Sequence, residues 1–145
     1  MKILVTSGGT SEAIDSVRSI TNHSTGRLGK IITEALLAAG HEVYLITTHQ
    51  AVKPASQPNL TIRQIKNTND LLLTMKELIT DYHVLIHSMA VSDYTPVYMT
   101  SLEEVQTSQD LTEFLTKQNN QAKISSKDEV QVLFLKKNPK IISLV

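Results

Sequence analysis

Cysteine is absent from this chain, which removes a disulfide framework, a thiol nucleophile and any zinc–thiolate site at once. Net charge is absent too: 14 basic and 14 acidic side chains cancel. That balance gives no basic surface for nucleic acid and no polycationic arm for a membrane. No apolar run is long enough to span a bilayer. The N-terminus carries one lysine and a short apolar stretch, without the long apolar region and small-residue cleavage site of a secretory leader. A cytoplasmic setting is expected. What is present, 145 residues with 41% hydrophobic and 19% charged side chains, suits one globular domain.

Strand and helix signals alternate. Lys2–Thr6 is a short apolar run bounded by glycines, the pattern of a buried parallel strand. Leu28, Ile31, Ile32, Ala35, Leu36 and Ala39 recur at helical spacing, and Gly40 is a natural stop. Glu42–Thr47 is a second strand, and Leu60–Ile65 a third, more peripheral one. Asn67–Asp81 opens on cap-type residues and continues as an amphipathic helix. His83–Ser88 is a fourth strand, followed by a loop through Pro96. A short helix is expected over Asp110–Gln118, a fifth strand over Val130–Leu135, and a helix start at Asn138-Pro139. The alternation predicts an α/β fold: a Rossmann-like, doubly wound, mainly parallel sheet with helices on both faces. A single domain over residues 1–145 is expected, as the front part of a longer protein.

The most informative segment follows the first strand. Ser7-Gly8-Gly9-Thr10 leads into a long polar loop, Ser11 to Ser24, before a helix begins near Gly26. Loops of that length at that position are usually functional. A dinucleotide-binding oxidoreductase needs G-x-G-x-x-G directly after strand one and an acid ending strand two. Here the third glycine is missing, and strand two ends Thr47-Thr48-His49. Gly26-Arg27-Leu28-Gly29 opens a helix about twenty residues downstream, where its small residues also suit plain close packing.

A split anion site is the alternative for the same residues. Gly8 and Gly9 let backbone approach a phosphate, and the Ser24-Thr25-Gly26 turn offers amides from a helix N-terminus. Asn22, Ser24 and Thr25 add neutral donors. Ser24-Thr25-Gly26 also reads as an ordinary N-cap, Asn22 as a turn residue, Asp93 as an Asx-turn before Pro96, Arg18 as a solvated or salt-bridged charge, and Lys123 as a solvated one. The histidines His23, His41, His49, His83 and His87 show no metal-ligand spacing, and His87 is expected to be packed. Glu12/Asp15 and Glu103/Glu104 read as helix-start or surface charges.

The run from Gly8-Gly9-Thr10 through Glu12, Ile14-Asp15, Val17-Arg18 and Ile20-Thr21-Asn22-His23-Ser24-Thr25-Gly26 closely resembles the signature of phosphopantothenate–cysteine ligase. Ala90-Val91-Ser92-Asp93-Tyr94 with Pro96 resembles its second signature. Lys123-Ile124-Ser125-Ser126, followed by Lys137-Asn138-Pro139-Lys140-Ile141-Ile142, resembles its third. The match is to the monofunctional bacterial form, without the fused flavin decarboxylase, so no flavin is expected.

That resemblance implies an amide-forming ligase. CTP, with Mg2+, activates 4′-phosphopantothenate as an acyl-cytidylate, and L-cysteine then displaces CMP. It places Gly8, Gly9, Thr10, Ser24, Thr25, Gly26 and Gly29 on the nucleotide. Asn22 would meet the carboxylate, and Met89, Ala90 and Asp93 would contact phosphopantothenate, with a nucleotide-side role for Asp93 as the alternative. Arg18 would reach the substrate phosphate, often across a homodimer interface, and Lys123 would favour the cysteine-dependent step. Asn22 and Lys123 are thus the expected catalytic pair. The chain departs from the family where Met89 replaces a common alanine, where the Lys123 block lacks further lysines, and where it stops before the segment that closes over the base. An inactive, truncated ligand-binding homologue and a short-chain oxidoreductase are the rival readings.

Overall fold

The computed structural model describes residues 1–144, which group into two compact units. The first comprises residues 1–11, 21–92 and 140–144; the second comprises residues 12–20 and 93–139.

The first unit is built on four parallel strands in the order β5–β4–β1–β6: β1 Lys2–Thr6, β4 Glu42–Thr48, β5 Leu60–Ile65 and β6 Val84–His87. Helix α1 (Arg27–Ala38) follows β1 and helix α2 (Thr68–Leu78) follows β5. Because side chains alternate along a strand, the sheet makes two cores. Ile3, Val5, Val43 and Leu45 pack with Leu36 and Leu37 of α1. Leu4 and Ile46 pack with Leu71 and Met75 of α2. Helices therefore cover both faces, as the doubly wound reading requires. The 3-10 turn Ile141–Ser143 buries Ile141 in the α2-side core.

Helix α1 is turned from its expected orientation. Gly29 and Thr33 are buried along it, whereas Leu28 and Ile31 are 63% and 55% exposed. Apolar residues occupy two adjacent stripes of this helix, and periodicity cannot say which one packs. Helix α2 starts as read. Asn67 accepts from the Asp70 amide at 2.8 Å, and the Asp70 carboxylate accepts from the Asn67 amide at 3.4 Å, a closed capping box. Asn67→Ala should cost about 1 kcal/mol in urea unfolding.

The second unit corrects several expectations. Tyr94–Ser101, whose first three residues were expected in a loop, is strand β7, and Gln131–Lys137 is strand β8. They pair antiparallel in a ribbon of their own, so the expected fifth strand does not join the parallel sheet. Helix α3 (Leu102–Thr107) was not foreseen, and the expected helix over 110–118 is a 3-10 turn at Leu111–Leu115. Phe114, fully buried, stacks between Tyr98 and Phe134 at 5.9 and 4.8 Å. Asn138 does not cap a helix. Its amide donates to the Asp93 carbonyl at 2.8 Å, and its Oδ1 accepts from Thr95. The polar loop after Thr10 also has structure: β2 (Ser11–Ala13) pairs with β3 (Ser19–Thr21).

Candidate functional site

In the first unit, strand order reverses between β1 and β6, the place where open α/β sheets receive ligands. Three segments meet there. Beyond β1, the Ser7 amide still donates to Ile46 at 2.9 Å, while the Ser7 hydroxyl donates to the Gly26 carbonyl at 3.1 Å. The glycine turn is thereby fastened to the start of α1.

The glycines are dictated by this closeness. Gly8 and Gly26 have φ of 93° and 78°, left-handed values that side chains resist. A Cβ on Gly8 would lie 2.9 Å from the Ala51 side chain, and one on Gly26 would lie 2.8 Å from the same atom. Both turns therefore crowd Ala51 and stand next to each other. A Cβ on Gly29 would overlap Ser7 outright, and one on Gly9 would sit 2.7 Å from the Asn22 carbonyl.

Asn22 is held from two sides. Its backbone amide donates to Thr10 at 3.3 Å, and its side-chain Nδ2 donates to the Ala90 carbonyl at 3.0 Å. That carbonyl also accepts from Thr10, at 3.1 Å, and the Ala90 amide donates to Gly8 at 2.8 Å. A carbonyl can only accept, so the amide nitrogen must face it. Only one of the two side-chain N–H groups is needed for that bond, and the Asn22 Cβ and backbone carbonyl stand beside Gly9. Thr10 turns its hydroxyl to Ser92, 2.8 Å away, and is buried; in this geometry it braces the turn.

The N-terminus of α1 is suited to an anion. Gly26 supplies no side-chain cap and the first turn holds no acid, so no charged group offsets the partial positive charge of the helix end. Ser24 is half-buried and Thr25 exposed, with the Thr25 hydroxyl accepting from Arg27 at 3.3 Å. A cavity of about 460 Å³ opens next to Gly9, lined by Ser11, Thr48, His49, Gln64 and Lys66. His87 is packed as expected: its Nδ1 lies 2.6 Å from Thr6 Oγ1, and burial pushes the imidazole below its ordinary value. Met89 presents its backbone only, since its side chain is in the α2-side core.

So Gly8, Gly9, Thr10, Asn22, Ser24, Thr25, Gly26, Gly29, Met89 and Ala90 all belong to the first unit, whereas Arg18, Asp93 and Lys123 belong to the second. Asp93 and Lys123 are exposed. Arg18 is bound to Asp15, a residue read from sequence as a surface charge. The side chain of Asp15 is only 1% exposed, and Glu12 is buried as well. Sequence reasoning also missed Ser7 as the fastener of the two turns. The serine carries no signal of that role, whereas the Asp15–Arg18 spacing does suggest a local ion pair.

A four-stranded parallel sheet, a glycine turn at its switch point and an uncapped helix N-terminus define a Rossmann-like α/β domain. The chain belongs, by its match over residues 1–112, to the family described as the DNA/pantothenate metabolism flavoprotein C-terminal domain. It is 30% identical over 141 residues to the coenzyme A biosynthesis bifunctional protein CoaBC of Methanocaldococcus jannaschii, covering 97% of this chain and 29% of that protein. A crystal structure of the DNA/pantothenate metabolism flavoprotein from Streptococcus pneumoniae superposes with a TM-score of 0.94 at 78% identity, over 99% of this chain and 63% of that one. A structure of a CoaBC C-terminal domain gives a TM-score of 0.61 at 36% identity, over 67% of this chain and 48% of its own. The chain thus spans less than two thirds of each of these relatives.

Proposed function

We propose that this chain is the amide-forming part of a phosphopantothenate–cysteine ligase of coenzyme A biosynthesis, using CTP and working as a cytoplasmic homodimer. The observation that carries the reading is Asn22, whose amide is fixed on the Ala90 carbonyl beside two adjoining glycine turns. In the reaction, a carboxylate oxygen of 4′-phosphopantothenate attacks the α-phosphorus of CTP and pyrophosphate leaves. The amine of L-cysteine then attacks the acyl carbon, CMP leaves, and the amine loses a proton.

Each step needs what these residues offer. The amides about Gly8 and Gly26 would take the triphosphate, with Ser24, Thr25 and Gly29 forming the helix start behind it. The free N–H of Asn22 would donate to the substrate carboxylate and then to the acyl oxygen, positioning it without adding charge. The family resemblance would give Arg18 the phosphate of phosphopantothenate, Met89, Ala90 and Asp93 contacts to that substrate, and Lys123 the cysteine step.

Magnesium fits as a passenger on the nucleotide. Among the described residues no group of three His, Asp or Glu side chains stands together, so the oxygens that hold the cation would come chiefly from the nucleotide phosphates. Bound there, the ion would neutralise the leaving pyrophosphate.

Thermal shift separates this reading from an oxidoreductase. CTP with magnesium should raise the melting temperature more than ATP, and NADPH should not move it, since stabilisation follows ligand concentration over dissociation constant. A shift with NADPH and none with CTP would overturn the proposal.

A further inference from the structure

Residues 15–18 of the second unit close a tight turn around one carboxylate. Asp15 Oδ1 accepts from the Val17 and Arg18 amides at 3.0 and 2.8 Å. Asp15 Oδ2 accepts from Arg18 Nε at 3.1 Å, from Arg18 Nη2 at 2.7 Å and from the Ile124 amide at 3.0 Å. Arg18 Nη2 donates onward to the Ile124 carbonyl at 3.0 Å. Ser16 holds the neighbouring Ala122 carbonyl with its amide, at 2.8 Å, and with its hydroxyl. The backbone on both sides of Lys123 is therefore pinned, with Ile124 buried and the Lys123 side chain left exposed.

We propose that Asp15 is a positioning residue, whose carboxylate locks Arg18 and the Lys123 segment into one frame so that both cations are presented in fixed directions. The ligase reading underlies the catalytic part of this statement. Arg18 is suited to the task because one edge of its guanidinium, Nε and Nη2, is spent on Asp15 and Ile124. The Nη1 donors remain for an incoming phosphate, and the group is 39% exposed. The Arg18 guanidinium, with the Ile124 amide, holds the Asp15 carboxyl well below the usual carboxylate range. It is thus charged throughout the neutral range. The contribution to stability is present above the ordinary carboxylate value and fades as pH falls below it.

The test compares Asp15→Asn with the parent chain. The variant keeps the size but offers one neutral acceptor oxygen in place of a charged pair. Hydrogen exchange reads the frame directly: protection of the Ile124 amide should fall about tenfold or more, as expected for losing a charge-assisted bond, while β1 and β4 amides keep theirs. Unchanged protection at Ile124 overturns the proposal, whatever the chain catalyses.

Kinetics reads the consequence. Arg18→Lys should raise KM for phosphopantothenate, and Lys123→Gln should release pyrophosphate yet stall before cysteine addition. Asp15→Asn should show both effects together, each by about tenfold. A drop in kcat alone, with KM and the ratio of pyrophosphate to product unchanged, would mark a merely structural role and overturn it. A parent chain that releases no pyrophosphate defeats the ligase reading instead, and the exchange result then decides the frame alone.

Discussion

Asn22→Asp should abolish pyrophosphate release from CTP and phosphopantothenate, by about a thousandfold or more, in a chain that still folds. Losing one preorganised donor to a developing oxyanion typically costs about a hundred- to a thousandfold. Aspartate adds a second penalty. An ionised carboxylate cannot donate to the Ala90 carbonyl, which now receives the Asn22 Nδ2 at 3.0 Å, and it would face the substrate carboxylate with like charge. Steady-state pyrophosphate release together with a circular dichroism melt checks the prediction. A well-folded variant retaining a tenth of parental activity would remove Asn22 from the chemistry.

The second large effect is on stability. Gly29→Val should cost about 3 kcal/mol or more in urea unfolding, the upper range for forcing side-chain atoms into a packed site. A Cβ at position 29 overlaps the Ser7 side chain close to its backbone and comes within 3.2 Å of Ser88 Oγ. Ser7 cannot yield freely, because its amide is bonded to β4 and its hydroxyl to Gly26. Helix α1 would have to lift from the sheet, which separates the two glycine turns. Gly40→Ala is the control: nothing lies within 4 Å of that Cβ, and only the left-handed backbone, φ 86°, resists it. About 1–2 kcal/mol is expected there, with CTP binding retained.

These two positions also show how unevenly the sequence speaks. The two glycine turns were legible together, because Gly8 and Gly26 hold left-handed backbone where they crowd Ala51, while Asn22 alone also read as a turn residue. The parallel strands were legible as short apolar runs, and α2 announced its own cap. Strand β7 was not, since Pro96 argues against a strand interior. The structure resolves this with a register shift between Pro96 and Tyr98. The packed face of α1 was ambiguous because Leu28 and Ile31 are as apolar as the Leu36 and Leu37 that enter the core. Asp15 was misread for a different reason. Besides Arg18 it is bound by the Ile124 amide, 109 residues away, and local spacing carries no information about a contact of that range. The fold was thus readable where hydrophobic period decides it, and the closeness of the two glycine turns where the residue type decides it. Neither was readable where a long-range contact decides.

Amide chemical-shift mapping of a CTP–magnesium titration tests the core of the account most directly, because it locates the nucleotide without requiring turnover. The largest shifts should fall on the backbone amides of Gly8, Gly9 and Gly26 and on the side-chain amide of Asn22. Saturable shifts confined to other residues, with these four unmoved, would contradict it.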